Sequence, residues 1–149
     1  MKSISTFLAM TVLTFLAMAQ HKPQDLLLSY LKVKDALVAD DGKLAKTKAT
    51  EFFYMVDKES DFEQKEAVTK ALRRICDTDN IEIQRIAFAG LSTEMWAMLD
   101  KGEKVKLDLY YQYCPMKRAY WISLESAIKN PYYGASMLTC GKVSDKKLN

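Results

Sequence analysis

Four sulfur-bearing side chains near the C-terminus are the residues best suited to chemistry in this chain. Cys114 and Met116 stand in a Tyr-Cys-Pro-Met run at 113–116, and Met137 and Cys140 in a Met-Leu-Thr-Cys-Gly run at 137–141. Thiolates and thioethers are soft donors, and a site made of them selects Cu(I), or the similar Ag(I), over hard ions such as Mg²⁺ and Ca²⁺. Between the two pairs lie Asn130, Pro131 and Gly134, a turn that can bring the ends of the stretch together. Lys117 and Arg118 place positive charge next to Met116, which would favour a thiolate at Cys114. Structural zinc fits less well: its usual sites want four Cys or His ligands, and the single histidine, His21, lies at the far end of the chain.

A disulfide between Cys114 and Cys140 competes for the same sulfurs. Closing a loop of about 26 residues is worth roughly 3 kcal/mol on a chain-entropy argument, a sizeable share of the ~5–15 kcal/mol that holds a domain. The residues alone leave a metal site, a disulfide and a reversible thiol pair open. Cys76 is different, because it falls on the apolar face of a predicted helix and reads as a small buried hydrophobe. Tyr113, Trp121, Tyr132 and Tyr133, with Tyr110, Tyr111 and Tyr120, surround the motif. They form a shell that shields a metal from water, a partner surface, or an aromatic minicore that caps the helices.

Placing these sulfurs falls to the rest of the chain. Lys2, a mostly apolar run from Ile4 to Leu16 and the small residues Ala17 and Ala19 predict a secretory signal peptide over 1–19. The mature chain then starts near Gln20, is periplasmic or secreted, and is not inserted in a membrane after cleavage. Export is also the setting in which cysteines can stay oxidised. Without Lys2 the charge falls from +3 to +2, too little to argue for nucleic acid or an anionic membrane as partner. No Gly-rich phosphate loop or Ser/His/Asp arrangement is present, so the chain does not read as an enzyme.

Residues 20–149 read as a single all-α domain, an antiparallel four-helix bundle with a C-terminal irregular and short-strand extension over 105–143. Apolar residues recur at helical spacing from Leu27 to Val38, from Leu44 to Val56, from Phe62 to Cys76 and from Ile83 to Leu99. Asp40 and Asp41 with Gly42, Ser60 or Asp61, the 77–80 stretch, and Lys101 with Gly102 supply starts and stops. Short connections make neighbouring helices reverse. Beyond Gly102 the period switches to alternation from Val105 to Tyr113, an extended segment that leads into Cys114. Tyr120 to Ile122 reads as a second extended piece, and Leu124 to Ile128 as a helical turn. A last helical turn would put Met137 and Cys140 on one face.

The Tyr-Cys-Pro-Met, Trp121 to Ser123, Asn-Pro-Tyr-Tyr-Gly (130–134) and Met-Leu-Thr-Cys-Gly segments, with Tyr30 to Asp41 and Arg85 to Ser92, together resemble an exported bacterial domain-of-unknown-function family numbered three-three-four-seven. The sequence departs from that family's pattern at Lys117 and Arg118, where a small residue is more usual. The resemblance implies a protein found alone after a signal peptide or fused to periplasmic adaptors of copper/silver efflux systems. It therefore raises Cu(I) or Ag(I) binding at Cys114, Met116, Met137 and Cys140 above the disulfide-stapled interaction module, with an envelope efflux component as partner.

Overall fold

The computed structural model describes residues 23–102 and 105–149. The expected signal peptide, the start near Gln20 and His21 lie outside the described residues. Pro23 opens helix α1 (Pro23–Val38), a position where its missing N–H costs no helical bond. The helix ends in a left-handed turn at Asp40 (φ 58°), with the Asp41 N–H donating to the Ala36 carbonyl at 3.0 Å. Asp41 then caps α2 (Gly42–Lys58), accepting from the Leu44 N–H at 2.9 Å. Asn80 does the same for α4 (Ile81–Lys101), accepting from Glu82 and Ile83. Between them lies α3 (Lys65–Cys76), whose preceding residue, Gln64, makes no side-chain cap bond; neither Ser60 nor Asp61 stands at the cap position.

Consecutive helices pack on one another, and α1 also touches α4. Their shared core holds Leu26, Leu37, Phe52, Val68, Leu72, Phe88 and Leu91. Connections as short as 39–41 and 77–80 leave neighbouring helices little option but to reverse. Among the described residues no helix is long and apolar enough to cross a membrane.

The all-α expectation is corrected by the chain beyond α4. Strands β1 (Leu109–Cys114), β2 (Ala119–Ser123) and β3 (Lys142–Lys147) form an antiparallel sheet in the order β2-β1-β3, docked through β2 on α4 and α1. The alternation before Cys114 and the extended piece after Tyr120 announce the first two strands. The third, Lys-Val-Ser-Asp-Lys-Lys, has no buried face: it is an edge strand formed by backbone pairing, so no apolar period exposes it in the sequence. Two helical turns are also corrected. Residues 124–127 run as bends and Ile128 has no regular structure, and the short 3₁₀ helix Gly134–Met137 stops before Cys140, which is reached by a turn from Met137. In α4 the expected apolar positions Ile83 and Ile86 are exposed, because Gln84, Arg85 and Ser92 take inward places beside Phe88 and Leu91.

Candidate functional site

Each sulfur is set by the strand or turn that carries it. Cys114 ends β1, pairs with Ala119 of β2 and is fully buried. Met116 sits two residues on, in the turn between the strands, and is 64% exposed. That turn closes through Arg118 in a left-handed conformation (φ 51°), a region uncommon for a residue with a side chain. Tyr113 pairs with Lys142, the first residue of β3, so Cys140 and Gly141 arrive beside the end of β1 where Cys114 stands. Gly141 is needed there: a Cβ would lie 2.8 Å from the Trp121 ring and 3.0 Å from the Tyr113 carbonyl. Met137, 38% exposed, closes a turn onto Cys140, whose N–H donates to the Met137 carbonyl at 3.0 Å.

The fold thus brings the Cys114 and Cys140 segments to one end of the sheet, with different surroundings for thiols and thioethers. Cys114 is inside, Cys140 half-buried, and both methionines face outward. Cys76, Cys114 and Cys140 are all free thiols. Cys76 ends α3, half-buried, and burial pushes its pKa up even though the Thr50 hydroxyl lies 3.5 Å away. No group of three His, Cys, Asp or Glu among the described residues is gathered as a metal cage, so a metal here would depend on the two thiols and on thioethers.

The aromatic residues divide between the two faces of the sheet. Gln112 faces Trp121 across the strands and Cys114 faces Ala119, so Trp121 shares the thiol's face. Trp121 meets Tyr132 edge-on at 6.0 Å, and both are buried. Tyr113 stands on the opposite face, in a row of rings running Trp96, Tyr111, Tyr120 and Tyr113 at spacings of 4.4, 4.7 and 4.6 Å. Tyr133 lies under the Lys117 ammonium, 5.0 Å from the ring centroid, and Lys117 also reaches Glu82 at 3.4 Å.

Arg85 and Gln112, to which the sequence motifs give no role, and Asp40, expected only as a helix terminus, build the loop around the thiols. The Arg85 guanidinium donates to the Pro131 carbonyl at 2.8 Å, to the Leu37 carbonyl at 3.1 Å, to Glu82 and to Asp40. Asp40 in turn accepts from the Ala135 N–H at 2.9 Å, and its carboxylate occupies the space that a side chain at Gly134 (φ 53°) would need. The Ala135 N–H, then Arg85, hold the Asp40 carboxyl below its ordinary pKa. Gln112, fully buried, donates to the carbonyls of Glu125, Ser126 and Ala127. Its Oε1 and the Trp121 indole N–H are buried without a partner among the described residues. The outer edge of β2 is closed by two phenols: Tyr132 donates to the Tyr120 carbonyl, and Tyr30 accepts from the Ile122 N–H at 3.0 Å.

The family model described as protein of unknown function DUF3347 matches residues 26–106, more than half of the chain. The matched stretch covers the helices and ends before β1, so the four sulfur residues lie outside it. No curated protein and no solved structure matches. On the helices from Leu26 onward, the chain belongs to the DUF3347 family.

Proposed function

We propose that this is an exported protein that binds one soft ion, Cu(I) or Ag(I), at the end of the sheet where β1 stops and β3 begins, and buffers it or passes it to an efflux component of the envelope. The observation that carries the reading is the Tyr113 to Lys142 register, which sets the Cys140 segment beside Cys114 while both thiols are free. The donor set suits the ion, since thiolates are the primary ligands and the outward Met116 and Met137 thioethers are soft donors within the same pair of turns. Binding requires loss of the thiol protons, so uptake releases protons and weakens as pH falls. The role is capture and transfer, without turnover of a substrate. The apolar stretch at 4–16 is the support for export.

Anaerobic competition against a chromophoric Cu(I) chelator tests it. The reduced mature chain should take up one ion, and Cys114→Ser and Cys140→Ser should each weaken binding by tenfold or more. Equal affinity in both variants rejects the site.

The same register favours a second reading, in which the two thiols form a disulfide in an oxidising compartment and the domain is an interaction module held by that staple. Alkylation and intact mass of protein taken from the envelope decide between them. A two-dalton deficit localised to Cys114 and Cys140 supports the staple, and two blocked thiols exclude it.

A further inference from the structure

We propose that Asn130 is a positioning residue for Cys140, fixing through its side-chain amide where that thiol stands beside the end of β1. The consequence for metal affinity rests on the soft-metal reading above; the consequence for thiol exposure rests on geometry alone. Asn130 is fully buried and makes four hydrogen bonds inside one loop. Its Nδ2 donates to the Cys140 carbonyl at 2.6 Å, and its Oδ1 accepts from the Tyr132 N–H at 2.8 Å. Its own N–H donates to the Leu138 carbonyl at 2.8 Å, and its carbonyl accepts from the Gly134 N–H at 3.0 Å.

Cys140 has no regular structure to hold it, because the 3₁₀ helix stops at Met137 and β3 starts at Lys142. The Asn130 amide and the turn bond to Met137 are therefore the polar ties on its backbone. The other end of the loop is fixed to the helices by Arg85 on Pro131 and by Asp40 on Ala135. Asn130 thus joins a stretch anchored to the bundle to the segment that carries Cys140. Losing its amide should free Cys140 and leave the helices in place.

Asn130→Asp keeps the shape and the acceptor for Tyr132 but turns an oxygen toward the Cys140 carbonyl. In the reduced, metal-free chain, each thiol's alkylation rate is read by mass spectrometry, with Cys76, on the end of α3, as internal reference. The Cys140 to Cys76 rate ratio should rise about tenfold, the effect of losing one buried hydrogen bond of ordinary net strength. Cu(I) affinity should fall by a similar factor. Should a buried carboxylate prevent folding, Asp40→Gly gives the second test. Residue 40 already has a φ that glycine adopts freely, so the variant removes the carboxylate, with its bonds to Ala135 and Arg85 and its packing on Gly134, without straining the backbone. It should raise the same ratio by less.

An unchanged ratio in the folded variants overturns the proposal. A wild-type chain that takes up no Cu(I) while the ratio still rises rejects the metal reading and leaves the positioning role standing. Cu(I) uptake that is equal in wild type and variants, with an unchanged ratio, does the reverse.

Discussion

The helical half of this molecule and its C-terminal half share one apolar core but differ in how far single buried polar groups add to it. From 23 to 102 the chain is joined by apolar stripes, in which Leu26, Phe52, Leu72 or Leu91 each fill part of a shared core and a neighbour of similar volume could serve. From 105 to 149 Trp121, Ile122 and Tyr132 join that core, and individual polar groups add ties between specific partners: Gln112 under the 125–127 carbonyls, Asn130 inside its loop, the Tyr132 phenol on Tyr120. The first kind of contact is redundant and the second is not. The family match follows the same division, covering the helices and stopping short of the sheet. A third set of residues joins the halves, chiefly Tyr30 and Arg85, each of which sits in a helix and bonds to the C-terminal half.

The strongest test of that division is Trp121→Ala. Trp121 is the largest fully buried side chain, packed on Tyr132 and against Gly141, and truncating it should cost about 3–5 kcal/mol. Because Tyr132 also meets Phe88 of α4, the loss should lower the melting of the helices together with that of the sheet. Far-ultraviolet and near-ultraviolet circular dichroism recorded on one sample should give coincident transitions. Helices melting at the wild-type temperature with the near-ultraviolet signal already gone would show instead that the two halves fold separately.

This division also explains what the sequence could disclose. The helix start at Asn80 was legible because caps act within three residues of themselves, whereas Asp41, which reads as a stop for α1, proves to be the cap of α2. The approach of Cys140 to Cys114 was legible as a possibility, through Pro131 and Gly134, but its cause was not. It depends on β3, whose side chains are all at the surface or nearly so, and on Asp40 reaching Ala135 across the whole domain. No local pattern encodes a bond between residues so far apart in the chain. Ile83 and Ile86 misled for the complementary reason: helical period identifies an apolar stripe, but Arg85 and Gln84 turn inward to bond with carbonyls that the helix itself does not contain. Gln84 reaches Gly42 and Thr78, and Arg85 reaches Pro131.

A smaller effect is expected from Tyr30→Phe, which removes one oxygen and no apolar surface. The Tyr30 hydroxyl shares a hydrogen bond of 2.7 Å with Ser92 of α4 and accepts from Ile122 of β2, so one atom links three elements. Burial holds this phenol well above its ordinary pKa, keeping it neutral. Without the oxygen the Ile122 N–H has lost its partner in a closed interior, at a cost of about 1–3 kcal/mol. Urea denaturation with an unchanged slope measures it. A loss below about 0.5 kcal/mol would mean that β2 does not depend on this bond and would weaken the claim that single polar contacts add to the hold on the C-terminal half.

The smallest expected effect is the most local, and it concerns pH. Asp40 and Glu82 both have depressed pKa values, Asp40 chiefly from the Ala135 N–H and Glu82 chiefly from Arg85. A carboxyl whose folded pKa lies below its unfolded one contributes stability in full above the unfolded value, and that contribution is lost as pH falls through the folded one. The ordinary values are 3.8 for Asp40 and 4.5 for Glu82, so nothing should change from this pair between pH 7 and about 5, and the contact should weaken below about 4. Both carboxylates are open to water, with side chains 41% and 57% exposed, and solvent screening keeps the contribution modest. What should respond first is the loop that Asp40 holds, since the helical core does not depend on either group. Near-ultraviolet dichroism should therefore shift at a higher pH than helical dichroism as acid is added. Asp40→Asn, which cannot ionise, should remove part of that early shift without moving the helical transition. Identical acid limbs in wild type and variant would show that other carboxylates set the acid sensitivity, and that the bond across the two halves at Asp40 contributes shape and little energy.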